Sequence, residues 1–414
     1  MHSEIIAVGS ELLSFGRIDT NSVHISSRLA TLGITVRFKQ VVGDRINDIS
    51  EALTLAAGRS EIIFVTGGLG PTTDDITREA VSLSLGLSMD EDDAVIRQME
   101  TMYRKWGRTM SANNRRQAMV PKGARVLANP NGTAPGLFLQ DDERLIFVLP
   151  GPPRELNPIL ENDAIPLIRK LKNLAEMPSR LLKVASVSES ALDSRIEKIY
   201  RNYPDVETTI LSSPGIISLY FIWKSFENLD YSHSMLDRLV SEIRDELGIS
   251  VLTDQDEELQ GTLGRILEER ELTLSVAESC TGGLIGKMLT DVPGSSSFFL
   301  GGVIAYSNEV KVEMLSVNPD DLAEKGAVSS VVAEQMARGV RKHLQSDIGL
   351  SITGIAGPAG GTEEKPVGTV YIGLSTEKIS LSWKFQAVGG RDIVRARSAN
   401  LALDRLRRWL LSET

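Results

Sequence analysis

A single cysteine, Cys280, and four histidines serve the whole chain of 414 residues. One cysteine excludes an internal disulfide framework and fits a reducing compartment. Positive charge is in deficit: 45 Lys and Arg stand against 55 Asp and Glu, for a net charge of −10. That balance argues against a surface for nucleic acid as the main business, although a local cradle for a small anion needs no basic protein. No apolar run reaches the length of a membrane span. No internal repeat or low-complexity segment is present to inspection. The first residues, Met-His-Ser-Glu-Ile-Ile-Ala-Val-Gly, begin a strand rather than a signal peptide, so the expected location is the cytoplasm.

What remains is the composition of a globular protein, 42% hydrophobic and 24% charged. Its length predicts two or three domains. Residues 1–170 alternate strand patterns (5–8, 34–42, 61–66 and 145–149) with helical ones (21–32, 46–58 and 111–119). This is α/β patterning, with a mainly parallel sheet and ligands at the carboxyl ends of the strands. Residues 171–252 read instead as a smaller α+β module, with strands at 181–187, 206–212 and 216–223 and helices at 190–200 and 234–247. A polar linker at 253–258 leads into a third domain, 258–414, where the α/β alternation resumes. It ends in a basic amphipathic helix over 392–411.

In the first domain, a buried-strand pattern runs into Thr66-Gly67-Gly68-Leu69-Gly70-Pro71-Thr72-Thr73-Asp74-Asp75-Ile76-Thr77. Glycines there let backbone amides approach a phosphate, and a helix start adds favourable partial charge. Paired carboxylates suit a divalent cation. A tight turn with an aspartate helix cap explains the same residues, and spacing alone leaves both readings open. Three further polar, glycine-rich exits contain Gly9-Ser10-Glu11 with Asp19-Thr20-Asn21, Asn131-Gly132-Thr133, and Pro150-Gly151-Pro152-Pro153-Arg154-Glu155. Together these segments resemble the molybdopterin-binding domain, most closely as it occurs in the CinA family. The resemblance implies hydrolysis of ADP-ribose to AMP and ribose 5-phosphate with a divalent metal, cobalt or magnesium. It implies Asp75 as the catalytic acidic residue, with Asp74, Asp75 and Glu155 at the metal. Glu11, Asn21, Gly67, Gly68, Gly70, Asn131 and Thr133 are the implied pocket residues. Asp74 stands where cofactor-biosynthesis members often carry arginine, which argues against a pterin-specific role.

The middle module resembles the small KH-like domain of the same family. Nucleic-acid-binding KH domains clamp the backbone with a Gly-x-x-Gly loop. Here only Gly215 and Gly248 occur between residues 171 and 252, so a structural spacer is expected. Ser186-Val187-Ser188-Glu189-Ser190 sits where the family usually has a glycine before Glu-Ser.

In the last domain, Leu272–Ala277 leads into Glu278-Ser279-Cys280-Thr281-Gly282-Gly283 and a helical pattern. Amide hydrolysis needs a nucleophile, a base and donors for the oxyanion. The only histidine of this domain, His343, lies in a solvated helical stretch beside Arg341 and Lys342. A shielded lysine with a lowered pKa is the other available base, and Ser279 with Lys311 fits that chemistry. Thr353 and Tyr306 are candidate hydroxyl contacts, and the N–H groups near Gly282 and Gly283 a candidate oxyanion site. The plainer alternatives are a serine helix cap and an exposed lysine; Cys280 is a rival nucleophile or a small buried filler.

Ala-Glu-Ser-Cys-Thr-Gly-Gly, Ala-Tyr-Ser-Asn-x-x-Lys, Gly-Ala-Val-Ser and Ser-x-Thr-Gly-Ile-Ala-Gly-Pro resemble the CinA carboxy-terminal family, the nicotinamide mononucleotide (NMN) amidohydrolases. The resemblance implies conversion of NMN to nicotinate mononucleotide and ammonia, with a serine nucleophile, a lysine base and no cofactor. It makes Ser279, Lys311, Tyr306 and Thr353 catalytic, and Thr281, Gly282, Gly283, Asn308, Gly354 and Arg391 substrate-binding. Where the family often has Gly-Asp-Arg, this chain reads Gly390-Arg391-Asp392. The resemblance spans the whole chain, and the expected partners are the two nucleotides, NMN and ADP-ribose. Direct nucleic-acid contact and membrane contact are not expected; a homodimer is. Two alternatives stay open: a non-catalytic nucleotide or pterin module at the amino terminus, and a competence or DNA-damage adaptor.

Overall fold

The computed structural model describes residues 1–14, 16–225 and 228–412. The chain forms two compact units, Met1–Pro178 with Lys224 and Ser225, and Ser179–Trp223 with the chain from Asn228 onward.

The first unit is built on a sheet of six strands. These are β1 (His2–Val8), β2 (Thr35–Val42), β3 (Ile62–Thr66), β6 (Arg125–Leu127), β7 (Gly136–Asp141) and β8 (Arg144–Leu149), while β4 (Met89–Glu91) and β5 (Met119–Pro121) pair as a separate ribbon. The order is β2-β1-β3-β8-β7-β6. β1, β2, β3 and β8 run parallel, and β7 and β6 are added antiparallel. Successive strand side chains point to opposite faces. Ile5, Ile62, Phe64 and Phe147 therefore meet Ile25, Leu29, Leu156 and Ile159 on one side. Ile6, Ile63, Val65 and Val148 meet Ile49, Leu53, Ala80 and Val81 on the other. Two helical layers thus cover the sheet, and the ends of β1 and β3 are left as the polar turns read from the sequence. The helix expected over 111–119 is a 3₁₀ segment, Ala112–Ala118. Ser111 Oγ donates to Asn114 Oδ1 at 2.6 Å, the local side-chain competition that makes such residues poor helix interiors.

The second unit opens with β9 (Ser179–Ala185), β10 (Val206–Ser213), β11 (Ile216–Trp223) and β12 (Val251–Thr253), in the antiparallel order β10-β11-β9-β12. Its long helix begins at Leu229 rather than 234, because the Asn228 side chain accepts from Tyr231 N–H and caps it five residues early. The remaining strands are β13 (Leu274–Glu278), β14 (Phe299–Ile304), β15 (Ile348–Gly354), β16 (Thr369–Ser375) and β17 (Ser380–Gln386), in the order β14-β13-β15-β16-β17. β13 lies parallel to both neighbours, but β15, β16 and β17 are antiparallel. The strand–helix alternation therefore lapses before the final helix, Arg391–Ser412.

That helix is less simply amphipathic than its sequence reads, since Asp404 and Arg407 are buried in its inner face. Arg407 pairs with Asp404 at 2.7 Å and donates to the carbonyls of Ile249 and Val251. Arg408 reaches Asp404 and the carbonyl of Ala185. Ser186 adopts a left-handed φ of 59° and its hydroxyl donates to Asp404 Oδ2 at 2.6 Å. The stretch expected to be a linker is fastened as well: buried Lys183 pairs with Asp256 and Glu258, both at 3.0 Å. Among the described residues no helix is long and apolar enough to cross a membrane.

Candidate active sites

In the second unit, β13 delivers Ser279 at the end of a strand that is buried throughout. Its N–H donates to the carbonyl of Ile352 on β15. Lys311 follows from the helix Asn308–Leu315, capped by Ser307. Lys311 Nζ lies 3.3 Å from Ser279 Oγ, 2.7 Å from the carbonyl of Ala305 and 3.3 Å from that of Tyr306. Lys311 is 1% exposed. Burial holds its pKa below the usual lysine value, against the opposing pull of Cys280 and Glu309. A neutral amine in this position has two N–H bonds for carbonyls and one lone pair for the serine hydroxyl.

Cys280 takes the opposite role. Burial pushes its thiol up to about 12, which withholds the thiolate that a cysteine nucleophile requires. Tyr306 contributes its carbonyl to Lys311, while its ring is 62% exposed and its hydroxyl accepts from Arg391 Nη2 at 3.1 Å. Arg391 also donates to the carbonyl of Gly357. Thr353 is buried beside the turn, but its hydroxyl donates to the carbonyl of Ala327 at 2.8 Å. Gly354 packs so closely on β16 that a Cβ would stand 2.8 Å from the carbonyl oxygen of Thr369. Asn308 is exposed at its helix start, and Thr281 is buried with a hydroxyl that has no partner.

Gly282 and Gly283 turn the chain with φ of 60° and 92°, a pair of left-handed steps that only glycine takes readily. Their N–H groups are not available to an oxyanion. Gly282 donates to the carbonyl of Ser279, and Gly283 to the side chain of Glu278. Among the described residues, the N–H groups of Cys280 and Thr281 donate to no backbone or side-chain oxygen. Two residues beyond the expected set meet the turn: Glu278, from below, and Arg395, whose Nη2 donates to the carbonyl of Thr281 at 2.7 Å. Arg395 lies one helical turn beyond Arg391, a spacing that puts both on one face of the last helix.

In the first unit, the turns at the sheet's carboxyl edge surround a cavity of about 680 Å³. Glu11, Asn21, Gly67, Gly68, Gly70, Asp74, Asp75, Thr133 and Glu155 all line it. Asn131 does not; its side chain donates to the carbonyl of Arg154. Gly67 requires its left-handed φ of 98°, since a Cβ there would meet the carbonyl oxygen of Val8 at 2.2 Å. Beneath the glycine turn sits Arg78, 1% exposed, absent from the sequence-derived set. It donates to the carbonyls of Leu69 and Gly70. Burial pushes its pKa down, with Glu79 and Asp75 opposing that shift.

The lining is acidic, with Asp19 and Asp44 added to the carboxylates above and Arg17 as its cation. These carboxylates do not converge. Asp75 accepts from the N–H and hydroxyl of Thr72, and Glu155 from Asn129 Nδ2 at 2.8 Å. Among the described residues no three His, Cys, Asp or Glu side chains are arranged to hold a metal ion. The donor set therefore fits no cation cage made by protein alone. It fits a cation carried in on a ligand's phosphates, which needs only one or two protein carboxylates.

Residues 256–410 match the family described as "CinA C-terminal domain", and residues 4–170 match "Probable molybdopterin binding domain". The chain is 41% identical over 415 residues to a CinA-like protein of Koribacter versatilis, covering 99% of this chain and 100% of that one. A CinA-like protein of Acidobacterium capsulatum is 42% identical over 416 residues, with the same two coverages. A solved structure of a CinA superfamily protein from Klebsiella pneumoniae is 30% identical, covering 37% of this chain and 96% of its own, with a TM-score of 0.37.

Proposed function

Because the chain belongs to the CinA family, we propose that its carboxy-terminal domain hydrolyses the carboxamide of nicotinamide mononucleotide through Ser279 and Lys311. The observation that carries this reading is the buried contact of 3.3 Å between Ser279 Oγ and Lys311 Nζ. Neutral Lys311 takes the hydroxyl proton as Ser279 Oγ attacks the carboxamide carbon. The oxyanion then faces the N–H groups of Cys280 and Thr281. Collapse breaks the C–N bond, and the Lys311 ammonium gives its proton to the departing nitrogen, which leaves as ammonia. Water attacks the resulting ester with Lys311 again taking the proton. That proton returns to Ser279 Oγ as nicotinate mononucleotide departs. Arg391 and Arg395 flank the turn as the cations for the 5′-phosphate.

For the amino-terminal domain we propose ADP-ribose as the ligand and hydrolysis of its pyrophosphate as the reaction. The reading rests on one cavity that gathers the glycine turn, Asn21, Thr133 and the carboxylates. A divalent cation, cobalt or magnesium, would be held by one or two of Asp74, Asp75 and Glu155 together with the phosphates, and would supply neutralisation of their charge.

Ammonia release from NMN by wild type, Ser279→Ala, Lys311→Ala and Cys280→Ala tests the first reading. Full activity in Ser279→Ala, or its loss in Cys280→Ala alone, overturns it. AMP formation from ADP-ribose with cobalt or magnesium tests the second, and no AMP at any metal concentration overturns it.

A further inference from the structure

Glu278 closes a fully buried strand and is itself 2% exposed. A buried carboxylate is costly unless it is paired or fully hydrogen-bonded. No lysine or arginine pairs with it among the described residues. Its partners are three backbone donors instead: Gly283 N–H at 3.0 Å and Ile285 N–H at 3.1 Å on Oε2, and Gly286 N–H at 2.8 Å on Oε1. These belong to the cap residue and the first turn of the helix Leu284–Thr290, where N–H groups have no partner within the helix and the local field favours negative charge. The helix end that a reader of the sequence would reserve for an anionic ligand is already filled by a side chain.

The same residue is tied to the base. The Glu278 carbonyl accepts from Ala305 N–H at 2.8 Å, and the Ala305 carbonyl accepts from Lys311 Nζ at 2.7 Å. Glu278 therefore anchors the far side of the turn through its carboxylate and the lysine through its main chain. Between those anchors lie Ser279 and the two left-handed glycines, the segment with the most backbone freedom to lose.

We infer that Glu278 is the positioning residue of this site, an inference that rests on the Ser279–Lys311 reading. Its carboxylate fixes the 279–286 turn so that Ser279 Oγ stays within reach of Lys311 and the N–H groups of Cys280 and Thr281 stay unspent. With the helix end closed, a substrate phosphate is left to Arg391 and Arg395.

Glu278→Gln keeps the shape of the side chain but turns an NH₂ group against at least one N–H donor. In this variant kcat per folded molecule falls about 10- to 100-fold with KM within about twofold, since a misplaced nucleophile costs rate rather than binding. Glu278→Asp, which keeps the charge, falls between the variant and wild type. A fluorophosphonate probe labels Ser279 more slowly by the same factor as kcat, and hydrogen exchange at residues 283, 285 and 286 speeds up. A lowered melting temperature with unchanged kcat and unchanged labelling per folded molecule overturns the inference, leaving Glu278 with stability alone. Wild type that releases no ammonia from NMN defeats the amidase reading instead, and the labelling and exchange measurements still decide whether Glu278 positions the serine.

Discussion

Lys311 Nζ stands 3.3 Å from Ser279 Oγ while the carbonyls of Ala305, Tyr306 and Ser307 surround its other side. The amine is thus aimed, and its one remaining contact is the hydroxyl. Ser279→Ala and Lys311→Ala are each expected to lower kcat for ammonia release by at least about 10³-fold, the scale on which members of a catalytic pair fail. Circular dichroism melting curves check that the variants remain folded.

The pH dependence follows from burial of Lys311, which lowers its pKa from the ordinary 10.5. Activity rises with pH as the amine loses its proton, and Lys311→Arg, permanently charged, abolishes both the rise and the activity. Stability has its own sign. Between the lowered folded value and the ordinary unfolded one, the unfolded chain binds the extra proton, so this group makes stability increase with pH. Urea midpoints across that window rise more steeply for wild type than for Lys311→Met.

Cys280 gives a contrasting test. With its thiol pushed up to about 12, roughly 10³-fold less thiolate is present than for a free cysteine at the same pH. Iodoacetamide is expected to modify the native protein at a rate lower by about that factor, and to react at the ordinary rate in guanidinium. Cys280→Ala retains ammonia release.

Asp404 and Arg407, 1% and 2% exposed, form a buried pair that Arg408 and Ser186 complete. Asp404→Asn leaves a buried guanidinium without its counter-charge and is expected to cost about 3 kcal/mol or more, read from denaturant midpoints. Asp404→Leu combined with Arg407→Met recovers most of that loss, because removing both charges removes the desolvation cost with them.

Periodicity made the two α/β sheets legible, since runs such as Ile62–Thr66 are buried on both faces and read as unbroken apolar stretches. The turns were legible because their glycines have few other uses. The antiparallel additions were not, for β7 and β8 or β16 and β17 differ from parallel strands only in how the chain returns. Ser279 and Lys311 stood out by residue type and the scarcity of histidine. Arg78, Glu278 and Arg395 did not, because each acts on backbone carbonyls or amides, and a sequence gives no sign of which backbone groups lack partners. The same blindness made Gly283 a candidate oxyanion donor when its N–H is already spent on Glu278.

Ser186 holds a backbone conformation better suited to glycine, and the hydroxyl that glycine lacks is the one bonded to Asp404. A chain with glycine at 186 relaxes its backbone but strips Asp404 of one donor. Residues 186 and 404, 218 positions apart in sequence, are therefore one linked pair: substitution at one changes what is tolerable at the other.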